Sequence, residues 1–183
     1  MTAEQFLALP DDGIERNLVR GELREGGPVT RRNRWHSRTE ARIAQALANW
    51  RDGQPAPRGE VLSGEVGCIL RRDPDTTYGI DVVYISPEMN ARQSDETTMV
   101  EGAPVLAVEI LSPSDKQEEI DEKVCDYLAC GVEQVWIVNP RFRTVIVYCS
   151  EAEPVLFNVH QTLTAEPHLP GFALPLARVF EGP

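Results

Sequence analysis

The chain has 183 residues, a hydrophobic fraction of 42%, a charged fraction of 26% and a formal net charge of -11. This length suits a single domain over residues 1–183, because a second independent core would be hard to fill. No apolar run approaches the roughly 18 to 20 residues that cross a bilayer, and the acidic N-terminus lacks a signal-peptide layout. We therefore expect a cytoplasmic protein with no membrane contact. The acidity also predicts poor nucleic-acid binding, since phosphate contacts need basic residues.

The first half of the chain predicts two helices and a strand. Thr2 to Leu9 carries a capping-box pattern, which predicts a short helix. Leu18 to Leu23 is predicted to be a strand. His36 to Arg51 is predicted to be an amphipathic helix, because apolar residues recur there at helical spacing.

The second half predicts several strands around one further helix. That helix is predicted from Ser114 to Gly131, capped by Ser114 with Gln117 and ended by the glycine. Polar residues 87–102 are expected on the surface, and little regular structure is expected after residue 149. This order indicates an α/β protein with an α+β mixed sheet and flanking helices. The predicted strands are Glu65 to Arg71, Gly79 to Ile85, Pro104 to Leu111, Val132 to Val138 and Thr144 to Cys149.

Two carboxylates interrupt strands that are otherwise apolar. Glu109 lies in the run 105–112, VLAVEILS, and Asp81 lies in the run 80–85, IDVVYI. Burial of an unpaired carboxylate costs several kcal/mol. Two such acids on two buried strands could share a divalent cation, because magnesium takes oxygen ligands. The alternative is that each acid pairs with its own arginine or lies in water at a strand end.

Lys123 is a candidate partner for these acids. Helical spacing places it beside Tyr127, on the flank of a buried stripe, so its stem could follow the core while its ammonium points at the sheet. The alternative is a solvated lysine paired with Glu119 one turn away. The stripe comprises Ile120, Val124, Tyr127 and Leu128.

Other polar residues are weaker candidates, and each has an ordinary structural explanation. Glu22 is either a third acidic ligand or a surface acid. His36 is either a phosphate contact or a packing and capping histidine. Glu40, one turn further along the helix, is either a ligand or a solvated residue.

One segment opposes the acidity of the rest of the chain. Five arginines fall within twelve residues, so DNA is expected to approach the protein there. No phosphate-binding loop, dinucleotide fingerprint, nucleophile elbow or HExxH pattern is present. The cluster comprises Arg31, Arg32, Arg34, Arg38 and Arg42.

Several long segments are similar to one known family. They read TAEQFLALPDDG at 2–13, LVRGEL at 18–23, IDVVYISPE at 80–88, VEGAPVLAVEILSPSD at 100–115, EKVCDYLACGVEQVWIVNPRFRTVIVY at 122–148 and PGFALPLARVF at 170–180. Over nearly its whole length the chain resembles the Uma-two family of restriction-endonuclease-like proteins, in the PD-(D/E)XK nuclease superfamily. The resemblance implies a restriction-endonuclease-like core.

The resemblance also implies roles for particular residues. Asp81 matches the first acidic motif and Glu109 the acid of the (D/E)XK element, while Lys123 matches a lysine that has moved from the strand to the next helix. Glu22 matches an additional acid. The implied activity is Mg²⁺- or Mn²⁺-dependent hydrolysis of DNA phosphodiester bonds, in which the metal acidifies a water molecule and Lys123 orients it.

Two rival functions remain open at this point. One is a non-catalytic scaffold or regulatory domain that retains the nuclease fold, which would suit the net charge of -11. The other is a hydrolase of a small phosphorylated metabolite, although no phosphate loop supports it. We expect DNA as the partner and a homodimer as the assembly, with Arg31, Arg32, Arg34, His36 and Arg38 at the DNA interface.

Overall fold

The computed structural model describes residues 1–28, 33–94 and 98–181, which form a mixed sheet with helices on both faces. The helices are α1 (Ala3–Leu7), α2 (Arg34–Asp52), α3 (Pro87–Asn90), α4 (Gln117–Ala129) and α5 (Ala177–Phe180). The strands are β1 (Ile14–Val19), β2 (Glu22–Pro28), β3 (Glu60–Arg71), β4 (Thr76–Ile85), β5 (Val100–Glu101), β6 (Leu106–Ile110), β7 (Gln134–Asn139), β8 (Thr144–Cys149), β9 (Ala152–Asn158), β10 (Thr162–Thr164) and β11 (Ala173–Pro175).

Among the described residues, nine strands form the main sheet, in the order β2-β1-β4-β6-β7-β8-β9, with β3 paired to β4 and β5 paired to β3. Strands β6 and β7 are parallel and are connected through α4, whereas β4 and β6 are antiparallel. The sheet is therefore mixed, as the sequence predicts. Strands β10 and β11 form a separate two-stranded sheet.

Each face of the sheet packs against one long helix. On one face Ile43 and Leu47 of α2 join a buried cluster with Val108 and Trp136. On the other face α4 contributes its predicted apolar stripe to a second buried cluster with Val83, Ala107 and Ile137. Because both faces are covered, the central strands β4 and β6 are buried on both sides. Any charged side chain on them needs a partner.

The prediction of one strand from Leu18 to Leu23 is wrong. These residues span a hairpin in which Val19 pairs with Glu22 across a two-residue turn. Arg20 has a φ of 52° and Gly21 a φ of 78°, the combination that a type I′ turn requires. A non-glycine residue in the left-handed region is uncommon, which is why the sequence did not indicate a turn here.

The two long helices are confirmed, with shifted starts. Helix α2 begins at Arg34 because the Asn33 side chain accepts hydrogen bonds from the two backbone N–H groups of Trp35 and His36. Helix α4 begins at Gln117, three residues after the predicted cap at Ser114. Asp115 closes a turn with Ser112 instead, at Oδ–N and Oδ–Oγ distances of 2.8 and 2.6 Å. Gly131, with a φ of 98°, follows the helix as predicted.

The expectation of little regular structure after residue 149 is also wrong. Strand β9 pairs with β8 at the edge of the sheet, although it contains Pro154. An edge strand tolerates proline because half of its backbone N–H groups have no strand partner. Within the described part of the chain, no helix is both long and apolar enough to cross a bilayer.

Candidate functional site

A fork in the sheet lies beside Asp81. Along one edge of β4, β1 pairs near the start of the strand (Leu18 with Thr77), and β6 pairs near its end (Val82 with Val108). Asp81 lies between these two pairings. Continuing the β4–β6 register by one pair brings Asp81 opposite Glu109, and residues directly opposite in an antiparallel ladder share one face. The two buried acids therefore meet where β1 and β6 diverge.

Glu109 is held by two residues of α4. Its Oε2 lies 3.0 Å from the Lys123 ammonium and its Oε1 accepts a 2.5 Å hydrogen bond from the Tyr127 hydroxyl. The side chains of Glu109 and Lys123 are 13% and 26% exposed. The structure thus brings Lys123 to the acid, and the lysine is directed at the sheet instead of at Glu119, which pairs with Lys116.

The protonation of this pair reflects burial and neighbouring charge. Burial raises the pKa of Glu109, and the nearby Asp81 raises it further, while Lys123 and the Tyr127 hydroxyl act in the opposite direction. Burial alone would lower the pKa of Lys123, but its contact with Glu109 raises the pKa above the ordinary value. The lysine is therefore a cation at neutral pH, and the acid takes up a proton more readily than an exposed glutamate.

Asp81 has a different set of partners. Its Oδ2 accepts a 2.7 Å hydrogen bond from the backbone N–H of Ile110, which the fork leaves available. The same oxygen lies 3.2 Å from Nε2 of His36, whose Nδ1 lies 3.7 Å from Oε2 of Glu40. Ligand atoms of His36, Glu40 and Asp81 all lie within 4.8 Å of one another, so these three side chains could hold a metal ion.

His36 is buried, with 1% of its surface exposed. The expectation that it contacts phosphate therefore does not hold, because the ring faces Asp81 and Glu40 beneath the surface. Both ring nitrogens lack a hydrogen bond of normal geometry among the described residues. A buried imidazole needs polar partners, and its two nitrogens face the carboxylates of Asp81 and Glu40.

A cavity of about 110 Å³ contains Asp81, Glu109 and Lys123 in its lining. Glu22, which the resemblance implied as an additional acidic ligand, is exposed at the turn of the β1–β2 hairpin and is not among the described residues that line this cavity. Glu15, on β1, lines it instead, and its charge raises the pKa of Lys123. The remaining lining residues are Ile110, Leu111, Asp115, Glu119, Ile120 and Ile137.

The arginine cluster lies partly beside this cavity. Arg34 and Arg38 line a larger groove that shares Leu111, Asp115 and Ile120 with the cavity. Arg31 and Arg32 lie outside the described residues. Arg42 is directed elsewhere, because its guanidinium binds the backbone carbonyls of Val179 and Glu181.

Tyr127 is a site residue that the sequence reading placed only in the core. Its ring packs edge-on against Tyr78 at 5.1 Å between centroids, and the Tyr78 hydroxyl donates a 2.7 Å hydrogen bond to Asp126. These contacts aim the Tyr127 hydroxyl at Glu109. A tyrosine one helical turn from Lys123 was the available signal, since i and i+4 side chains share a face.

Tyr127→Phe is expected to shift the pH dependence of metal binding to higher pH. The hydroxyl lowers the pKa of Glu109, so its removal raises that pKa further. A carboxyl group must be ionised to bind a cation, and binding will therefore be lost at a higher pH as the solution is acidified. Titration of Mn²⁺ binding between about pH 5 and 8 measures this shift, because raised carboxyl pKa values fall roughly in that range. Tyr148→Phe on β8 is the control, and a downward or absent shift in Tyr127→Phe would contradict the assignment.

Comparison with known proteins identifies the class to which this fold belongs. A crystal structure from Anabaena variabilis, described as that of "a putative nuclease belonging to DUF820", matches with a TM-score of 0.78 and 18% sequence identity. The match covers 98% of this chain and 97% of that one. At this identity it establishes a shared fold, so the chain has the fold of that nuclease-type protein.

The family follows from a profile match over residues 3–177, to the Uma2 family, described as "Putative restriction endonuclease". The chain belongs to this family. No protein with a curated description matches it. Family and fold together support a nuclease function, and the resemblance seen in the sequence is confirmed.

Proposed function

We propose that this protein is a divalent-metal-dependent nuclease that hydrolyses DNA phosphodiester bonds at the cavity between β4, β6 and α4. The observation that carries the proposal is the convergence of Asp81, Glu109 and Lys123 on one cavity, from three separate elements. Two acids and a cation around a shared space is the arrangement that metal-assisted phosphodiester hydrolysis needs.

The residues present fit a divalent cation. The described residues that line the cavity carry five carboxylates against one lysine, and this excess of negative charge favours a cation. Carboxylate oxygens suit Mg²⁺ and Mn²⁺, and the His36 imidazole, grouped with Asp81 and Glu40, offers a nitrogen ligand as well. Asp81 and Glu109 would hold the ion, with His36 and Glu40 available on the far side of Asp81. When bound, it would supply Lewis-acid chemistry at the scissile phosphate and lower the pKa of bound water.

The chain's own residues prepare the site for this chemistry. The Ile110 N–H fixes the Asp81 carboxylate, and Tyr127 fixes Glu109. Lys123, with 26% of its side chain exposed, can reach from Glu109 towards a phosphate in the cavity and neutralise its developing charge. Glu15 at the same cavity takes the place of Glu22 as the additional acid in this proposal.

The proposal is tested by incubating the full chain with plasmid DNA and with single-stranded oligonucleotides, in Mg²⁺, in Mn²⁺ and in EDTA. Cleavage is expected only with a divalent ion. Glu109→Gln is expected to lower its rate at least about 100-fold, the scale for loss of one electrostatic group in an active site. Glu153→Gln, an exposed acid on the edge strand β9, is the matched control.

Two outcomes would contradict the nuclease proposal. Cleavage that persists in EDTA or in Glu109→Gln would show a contaminant or another site. A chain that cleaves nothing and binds no DNA at any salt concentration would favour the scaffold function, which suits the net charge of -11. The homodimer and the cytoplasmic location stay predictions, and sedimentation measures the first of them.

A further inference from the structure

A groove of about 1140 Å³ adjoins the cavity. Four segments line it: the start of α2, the connection between β6 and α4 with the first turn of α4, the turn between β7 and β8, and the end of α5. Small-molecule sites usually enclose about 300 to 1,000 Å³, so this groove suits a polymer segment better than a single metabolite. It shares Leu111, Asp115 and Ile120 with the cavity, and a chain lying in it would pass the acids.

Two exposed aromatic rings line this groove. Trp35 is 53% exposed and Phe142 is 70% exposed, and they are the exposed large aromatic side chains of the described residues. Both stand on backbone held by asparagine. Asn33 accepts a hydrogen bond from the Trp35 N–H, and Asn139 accepts one from the Phe142 N–H. The rings are thus presented to solvent from fixed positions, and neither is covered by the core.

Four arginines accompany the rings. Arg34 and Arg38 lie over the Trp35 ring, with guanidinium carbons 4.8 and 4.4 Å from its centroid. Arg141 lies 5.8 Å from the Phe142 centroid, and Arg143 follows it in the same groove lining. None of the four forms an ion pair within the described residues, whereas five other arginines do. In a chain of net charge -11, unpaired cations beside exposed rings indicate an anionic partner with flat apolar groups.

We propose that this groove binds an unpaired DNA strand, with bases stacked on Trp35 and Phe142 and phosphates on Arg34, Arg38, Arg141 and Arg143. The substrate of the site is then a single strand or a single-stranded branch. This inference rests on the proposed nuclease function for the choice of DNA. Duplex DNA is disfavoured because its base faces are already stacked, whereas an unpaired strand offers both faces and phosphates.

The arginines over Trp35 fit this mode of binding. A guanidinium that lies over the ring shields that face of the ring from water. When a base stacks on the ring in its place, we expect the same guanidinium to turn towards a phosphate of that nucleotide. Base stacking and phosphate contact are therefore coupled at Trp35 and its two arginines. We accordingly expect that replacing the aromatic rings and replacing the arginines will each weaken binding of the strand.

The test measures binding of fluorescein-labelled 12-nucleotide strands to the full chain by anisotropy in EDTA, where cleavage cannot occur. Tighter binding of oligo-dT than of a 12-base-pair duplex is expected. Trp35→Ala and Phe142→Ala should each weaken oligo-dT binding about 5- to 140-fold, the range for loss of one stacked base. Trp35→Phe should retain most of the affinity. Leu156→Ala, at an equally exposed apolar residue (54%) on β9, should change nothing.

Charge is tested separately from stacking. Arg34→Ala with Arg143→Ala should lower the slope of log affinity against log salt concentration by about 1.4, which is about 0.7 for each phosphate contact to a single strand. Arg58→Ala is the control, since this exposed arginine follows the far end of α2, a helix that rises about 27 Å from Arg34 to Asp52. An intrinsic signal adds a second readout. Oligo-dT should quench tryptophan emission in the wild type and not in Trp35→Phe.

Three outcomes would overturn the inference: equal or tighter binding of duplex, tighter binding of oligo-U RNA, or unchanged oligo-dT affinity in Trp35→Ala and Phe142→Ala. Loss of a dimer in those variants at unchanged affinity would assign the groove to a second copy of the chain. The nuclease proposal fails separately, through the absence of divalent-dependent cleavage. Cleavage of duplex alone would leave that proposal standing and contradict this one.

Discussion

Lys123→Met is expected to lower the rate of metal-dependent cleavage by about 100- to 1,000-fold, the effect of removing one group that stabilises transition-state charge. The ammonium lies 3.0 Å from Glu109 Oε2 at the cavity, where a phosphate would develop charge. Methionine keeps the apolar stem along α4, so the fold is expected to remain. Lys123→Arg should not restore the rate, because a planar fork replaces a compact charge.

The chain offers a matched control for this substitution. It contains two lysines, and the other, Lys116, is exposed beside Glu119 just before α4. Lys116→Met removes a positive charge just before the start of the same helix and should leave the cleavage rate unchanged. Circular dichroism and the unfolding midpoint check that both variants fold. A fully active Lys123→Met protein would refute the role proposed for this lysine.

Saturating Mn²⁺ is expected to raise the midpoint of thermal unfolding, and Asp81→Asn is expected to abolish this rise. An ion at 100 times its dissociation constant adds about 2.7 kcal/mol to the free energy of unfolding, which corresponds to about 5 to 11 °C for a chain of this length. Asparagine keeps an oxygen for the Ile110 N–H, so the loss would report the missing charge and not a broken fold.

Companion variants locate the ion. Glu22→Gln should retain the full rise in midpoint, because Glu22 is exposed at the hairpin turn, whereas Glu15→Gln should reduce it. Glu40→Gln distinguishes the two sides of Asp81. A reduced rise places the ion with His36 and Glu40, and an unchanged rise places it with Glu109. A wild-type protein whose midpoint does not respond to Mg²⁺ or Mn²⁺ would contradict the metal site altogether.

The two acids were predictable because a charged residue inside an apolar strand stands out from its immediate neighbours. At Asp81 and Glu109 a segment of about six residues is enough to show a carboxylate within an otherwise apolar run. For Lys123, helical geometry left open whether its ammonium faces the sheet or pairs with Glu119, and only the family resemblance favoured the sheet. The same local rules failed at Arg20 and Gly21, where a non-glycine residue adopts a positive φ that no short pattern indicated.

From the sequence by itself, the resemblance of its long segments determined the family, periodicity determined the mixed sheet with its two long helices, and a carboxylate in each of two apolar runs indicated the two acids. Only the tertiary structure decided which further residues join them. Glu15 replaces Glu22 at the cavity, and His36 is turned inward to Asp81. Trp35 and Phe142 share a groove although they lie 107 positions apart in the sequence. The physical reason is that each of these contacts depends on how β1, α2 and the β7–β8 turn pack around one fork in the sheet. No local spacing in the sequence encodes that packing.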